Sequence, residues 1–161
     1  MPDTLPALTV RKSLTVEAPC AHAFTVFTSG FDSWWPRAHH IGKAELLAAV
    51  IEPKAGGRWF EKGVDGSECE WGTVLVYDPP SRVMLSWHLN GEWQYDPDPS
   101  HASEVDVRFI PDGPTRTKVE FEHRYIERSV GAEQLRAGVD SEGGWNGLLA
   151  MFAAKAKETA V

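Results

Sequence analysis

The sequence predicts an α+β fold: a curved antiparallel β-sheet wrapped around one long C-terminal α-helix, with two short helices after the first strand. Three observations predict it. Seven segments read as strands, six of them in succession, and four of the seven (8–17, 82–89, 103–111 and 115–124) alternate apolar and polar residues with the period of two that half-buried strands show. One late segment changes to the helical period, placing Trp145, Leu148, Leu149, Phe152 and Ala156 on one face. One sheet face repeats Val, Leu, Phe and Trp while the other repeats Glu, Asp, Arg and Lys. An apolar sheet face must be covered, and the final helix is the long amphipathic element available to cover it.

Each element has its own signal. Residues 8–17 alternate Leu8, Val10, Leu14 and Val16, and Ala18-Pro19 ends the strand because proline cannot continue a ladder. Pro19 then suits the first turn of a helix that sets Ala23, Phe24 and Phe27 on one face and stops at Gly30. Residues 31–37 read as a second short helix, capped by Asp32 or Ser33 and ended by Pro36. The run from Ala44 contains helix formers, but Val50, Ile51 and Pro53 lead straight into the turn Lys54-Ala55-Gly56-Gly57, which favours a strand. Residues 57–63 follow as a strand, and Asp65-Gly66 marks a hairpin. Strands over 70–78, 82–89, 103–111 and 115–124 are separated by turns at Asp78-Pro79-Pro80-Ser81 and Asp112-Gly113-Pro114, and by an exposed loop, 90–102, carrying Trp93 and Tyr95. Such a succession makes an antiparallel meander. After Ile126 a short helix over 129–138 closes at Gly138. Ser141 offers a cap for a helix over 142–158, with Lys155 and Lys157 near the end where the helix dipole favours cations.

A chain of 161 residues is the size of one domain with a sizeable core. The expectation is a single domain over 1–161, its core spanning about 8–158. The hydrophobic fraction of 42% excludes an intrinsically disordered class. The formal net charge of -7, with Lys and Arg scattered, excludes nucleic acid as the main partner and disfavours anionic membrane surfaces. Cys20 and Cys69 stand outside any CxxC pair, and MPDTLPALTV lacks a basic start followed by an apolar run. No stretch approaches the roughly 18 apolar residues of a membrane helix. The expected location is therefore a reducing cytoplasm.

Seven tryptophans are the unusual feature of the composition. Trp59, Trp71 and Trp87 stand on consecutive strands and Trp145 starts the helix that crosses them, so their rings come within reach. They read either as ordinary core or as a flat aromatic box for an apolar or planar ligand, closed by Phe60, Phe121 and Phe152. Trp34-Trp35-Pro36, followed by Arg37 and His39-His40, is the most distinctive local cluster. Either both Trp plug the core, or Trp35 and one His line the cavity entrance. Adjacent histidines invite a metal, but no third and fourth ligand follow at a recognisable spacing, so neither metal nor cofactor is expected. His123 shares the inward parity of Val119 and Phe121, as a satisfied core-edge histidine or as the group that orients a ligand. Glu61, Glu68, Glu70 and Glu104 lie on or near strands, and one facing a cavity would act as acid or base. Cys69 lacks a basic setting that would activate it. There is no Walker A loop, GxGxxG, GxSxG or HExxH motif. The candidate ligand-binding set is Trp35, His39, Trp59, Phe60, Trp71, Trp87, Phe121, His123, Trp145, Leu149 and Phe152.

Gly56-Gly57-Arg58-Trp59, Trp71-Gly72-x-Val74, Asp78-Pro79-Pro80, Ser86-Trp87 and Gly144-Trp145, in that order and spacing, resemble the SRPBCC, or START-like, superfamily. Within it the chain is most similar to the family homologous to the activator of the heat-shock-protein-90 ATPase, over about residues 8–158. The resemblance implies a helix-grip fold with a cavity between sheet and C-terminal helix. It implies little about chemistry, because the fold hosts lipid carriers, co-chaperone domains and cyclases. Co-chaperones of that name carry an additional N-terminal domain, whereas only a short tail precedes Leu8, so chaperone activation is not the expectation.

The function expected is binding of a small apolar or aromatic molecule in that cavity. Two alternatives stand beside it. One is a cyclase- or hydrolase-like enzyme in which His123 or a cavity Glu moves a proton. The other is a co-chaperone-like interaction module or homodimer that uses Trp93 and Tyr95.

Overall fold

The computed structural model describes residues 8–160, and the tail read ahead of Leu8 lies outside them. Seven strands form one sheet: β1 (Val10–Val16), β2 (Leu46–Ile51), β3 (Arg58–Gly63), β4 (Glu68–Asp78), β5 (Arg82–Trp87), β6 (Ser103–Pro111) and β7 (Thr117–Arg124). Their order is β1-β7-β6-β5-β4-β3-β2, with every neighbouring pair antiparallel. Strands β2 to β7 are the meander that the turn signals predict, and β1 adds to its far edge beside β7. Helices α1 (Cys20–Phe27) and α2 (Phe31–Trp34) connect the two edges of the sheet. Helix α3 (Ala132–Val139) and helix α4 (Gly147–Thr159) complete the chain, joined by a single π-helical turn over Glu142–Asn146.

Helix α4 packs on β1, α1 and α2 and buries Leu148, Leu149, Phe152 and Ala156. Phe152 meets Phe27 edge-on at 5.2 Å and Trp34 at 5.6 Å between ring centroids, inside the range of favourable aromatic pairs. This is the helix grip: the sheet's apolar face, the early helices and α4 share one aromatic core.

Three local expectations need correction. Helix α2 ends at Trp34 rather than at residue 37, because Trp35 is already extended (ψ 128°) ahead of Pro36, whose ring disfavours a helical predecessor. Its Asp32 does not cap it. The carboxylate instead accepts from Ala49 N at 2.8 Å and from Arg37 Nη2 at 2.6 Å, tying α2 to β2. The final helix is not continuous over 142–158 either. Gly144 leaves helical geometry (φ −94°, ψ −141°), and the Ser141 hydroxyl donates back to the Gly138 carbonyl at 2.6 Å instead of capping the π-helical turn after it.

Strand β4 carries two irregularities that matter for the site. Pairing with β3 steps from Phe60↔Glu70 to Trp59↔Gly72, and pairing with β5 steps from Val76↔Met84 to Val74↔Leu85. Each step inserts one residue, and each insertion reverses the alternation of faces. The first turns Trp71 inward next to Gly72, where a Cβ would lie 1.8 Å from the Ser86 carbonyl oxygen, so only glycine fits.

The sheet's outer face is a network of ion pairs. Arg82 binds Asp106 through two nitrogens at 2.9 Å each, and Arg124 adds a third contact at 3.0 Å. Burial pushes the Asp106 carboxyl up, but the two guanidinium groups outweigh it and hold the carboxyl below its usual range.

Candidate functional site: a tryptophan-lined cavity

A cavity of about 380 Å³ opens at one end of the grip, between the loop after α2, strands β4 and β5, α3 and the start of α4. That volume lies within the range of small-molecule sites, about 300–1,000 Å³. Four of its walls are buried indoles. Pro36 turns the chain so that Trp35 stacks on Phe31 at 4.8 Å. The β4 insertion presents Trp71, the end of β5 presents Trp87, and the π-turn presents Trp145. The rings pair at 5.3 Å (Trp35 with Trp71), 5.8 Å (Trp87 with Trp145) and 6.4 Å (Trp35 with Trp145).

Each of these four indole N–H groups is already used by the protein. Trp35 Nε1 donates to the His39 carbonyl at 2.8 Å, and Trp71 Nε1 to Glu61 Oε1 at 2.9 Å. Trp87 Nε1 donates to the Leu89 carbonyl at 3.0 Å, and Trp145 Nε1 to His123 Nδ1 at 3.0 Å. A buried indole N–H without an acceptor would be costly, so these bonds also fix the ring orientations. What remains for a ligand is carbon surface.

The fifth lining indole is different. Trp93 is 43% exposed and sits in the 90–102 loop with φ at +61°, a conformation strained for a bulky residue. The Asn90 carboxamide oxygen accepts from Glu92 N at 2.9 Å and from Gln94 N at 3.1 Å, which holds the loop around it. Its ring rests on Gly138 of α3, where a Cβ would lie 2.7 Å from the ring, and meets Trp87 edge-on at 6.3 Å. Trp93 therefore forms the cavity's outer rim.

Two groups behind the walls hold them in place. The buried Glu61 carboxylate accepts from Ile41 N at 2.7 Å, Gly42 N at 3.1 Å and Trp71 Nε1 at 2.9 Å, fastening the lining loop to β3. His123 is fully buried, and burial lowers its pKa to about 3. An indole nitrogen can only donate, so His123 Nδ1 is the acceptor and its proton sits on Nε2, bonded to Ser103 Oγ at 2.8 Å. His123 is thus neutral and saturated, and positions Trp145.

Of the residues singled out in the sequence, Trp35, His39, Trp71, Trp87 and Trp145 line the cavity together. The others stand elsewhere. Trp59 is buried one layer deeper, 5.6 Å from both Trp71 and Trp87. Phe60 does not close the box: it is on the sheet's outer face, with the Arg58 guanidinium 3.8 Å over its ring. Phe121 backs Trp145 at 4.5 Å, and Leu149 and Phe152 belong to the core under α4. Among the glutamates Glu61 is the buried one, and it does not reach the lining. The candidate set left out Ala38, Ile41, Leu89, Trp93, Leu148 and the 138–144 segment, and of the two histidines read at the entrance it took His39 alone, whereas His40 lines the cavity too. Gly138 and Gly144 were the available signal: glycine lets chain and ring approach closely, and at Gly144 a Cβ would lie 2.3 Å from the Val139 carbonyl oxygen.

Among the described residues no helix is long and apolar enough to cross a membrane, and no three or more His, Cys, Asp or Glu side chains are grouped to hold a metal ion. The family described as activator of Hsp90 ATPase homolog 1-like protein matches residues 17–157. The chain is similar to a solved structure described as an anthrahydroquino-gama-pyrone synthase, with 40% identity over 96% of this chain and 99% of the other and a TM-score of 0.65. It is also similar to CalC, described as a self-sacrificing resistance protein from Micromonospora echinospora, with 35% identity over 95% and 96% of the two chains and a TM-score of 0.72. A protein from Arthrobacter aurescens shares the fold at 17% identity over 96% and 88%, with a TM-score of 0.63. No functionally curated protein matches.

Proposed function

The chain belongs to the activator of Hsp90 ATPase homolog 1-like family, and from that premise we propose that it binds a small planar, apolar or aromatic molecule in the tryptophan-lined cavity. The observation that carries this reading is the state of the four buried indoles. They face the cavity with every N–H occupied, so they offer flat carbon surface and little else. Burying a ligand there gains about 25 cal/mol per Å² of apolar area, with stacking on the rings in addition. The likeness to a protein described as an anthrahydroquino-gama-pyrone synthase supports a fused-ring ligand.

The same likeness favours a second reading, in which the bound molecule is also turned over. His123 does not serve that reading as acid or base, because both its nitrogens are occupied and it is sealed from the cavity.

Blocking the mouth tests the binding reading. Ala38 lines the cavity and is exposed, so Ala38→Trp adds bulk there without disturbing the core. Anthraquinone titrated into the wild type should quench tryptophan fluorescence with saturation, and Ala38→Trp should weaken that binding at least about tenfold with an unchanged unfolding midpoint. Equal binding by both proteins would place the ligand elsewhere.

A further inference from the structure

We infer that the cavity selects ligands carrying a hydroxyl on the aromatic plane, a phenol or enol, and that one of the adjacent imidazoles, His39 or His40, accepts its hydrogen bond. The inference rests on the binding reading above and names the ligand's polar group. The four buried indole N–H groups are spent, and the Ser141 hydroxyl donates to the Gly138 carbonyl at 2.6 Å. The two histidines are also anchored, but each through one nitrogen only.

His39 Nε2 lies 2.8 Å from the Gly143 carbonyl oxygen, and His40 Nδ1 lies 2.8 Å from the Gly42 carbonyl oxygen. A carbonyl can only accept, so in the neutral rings the proton is on Nε2 of His39 and on Nδ1 of His40. The opposite nitrogens, Nδ1 of His39 and Nε2 of His40, are bare acceptors with no hydrogen bond among the described residues. Two adjacent, half-buried imidazoles are thereby set in opposite tautomers on one cavity wall. His39 is held further by its own carbonyl, which takes the Trp35 N–H, and by its ring, which meets Trp35 edge-on at 5.9 Å. An acceptor fixed beside apolar surface rewards a ligand that donates and penalises one that cannot. Trp93 Nε1 is the lining indole N–H with no acceptor among the described residues, and it stands at the exposed rim rather than among the spent donors.

Three probes of one shape separate the terms: anthraquinone, 2-methoxyanthraquinone and 2-hydroxyanthraquinone, titrated calorimetrically. The wild type should bind the hydroxy compound about five- to tenfold more tightly than the methoxy compound, the worth of one satisfied hydrogen bond. In His39→Phe combined with His40→Phe the ratio of hydroxy to methoxy affinity should fall to about one, whatever happens to anthraquinone affinity; the two single variants identify which ring accepts. Because His39→Phe also removes the bond to Gly143, a second measurement uses the unaltered protein. Long-range nitrogen–proton NMR should show the proton on Nε2 of His39 and Nδ1 of His40, and the hydroxy but not the methoxy compound should shift one of the bare nitrogens. Equal affinity for all three probes, a preference that survives the double variant, or the reverse tautomers would overturn the hydroxyl-acceptor inference and leave the cavity reading standing. No binding of any probe would overturn both.

Discussion

His123 shows how one residue couples the site to stability. Its neighbours on β7 made its inward parity legible, but parity did not reveal that both ring nitrogens are used or that Trp145 is held by one of them. The consequence is a pH dependence with a definite sign. The folded pKa is near 3 and the unfolded value near 6.5, so between those limits the unfolded chain binds one more proton. Stability from this residue is complete above about pH 6.5 and falls, by roughly 1.4 kcal/mol per pH unit, as pH drops toward 3. Asp106, held low by Arg82 and Arg124, adds its own loss only further down, as pH falls through the carboxylate range. Urea unfolding between pH 7 and 5 should therefore steepen with acid in the wild type and be shallower by about one proton in His123→Gln. Identical slopes would mean that His123 is accessible to solvent. Phe60 is the opposite lesson: its apolarity placed it in the cavity, whereas its backbone faces it outward under Arg58.

The order and type of the elements were readable because four strands alternate, turn signals bound the other three, and the final helix keeps the helical period. What was not readable is a set of single-residue events. The two insertions in β4 reverse the sheet face without changing composition, and the π-turn at Gly144 replaces the first turn of the expected helix with the wall that carries Trp145. The rim is another such feature. Trp93 and Tyr95 read as exposed aromatics, and both are about 40% exposed, but the Trp93 ring also sits on bare helix at Gly138. Gly138→Ala should leave the melting temperature unchanged or slightly raised, since Ala is favoured over Gly within a helix by up to ~1 kcal/mol. It should weaken anthraquinone binding severalfold by lifting Trp93 from its seat. Unchanged affinity would show that the ring contributes nothing to the cavity.

Across the whole molecule, the sequence left open whether the tryptophans form a packed core or walls around a space. The fold does both, in two layers. Trp34 and Trp59 are sealed among Phe27, Phe31 and their neighbours, while Trp35, Trp71, Trp87, Trp93 and Trp145 surround the open volume. No periodicity could separate the layers, because the division depends on the bulged register of β4 and on the crossing point of α4. The seven indoles consequently report on the site themselves. The most direct test is an assigned nitrogen–proton NMR spectrum of the indole N–H groups during a titration with anthraquinone. Saturable shifts are expected at Trp35, Trp71, Trp87, Trp93 and Trp145, which surround the open volume, with Trp34 and Trp59 nearly unmoved. Shifts confined to Trp93, or no shifts at all, would contradict the binding reading.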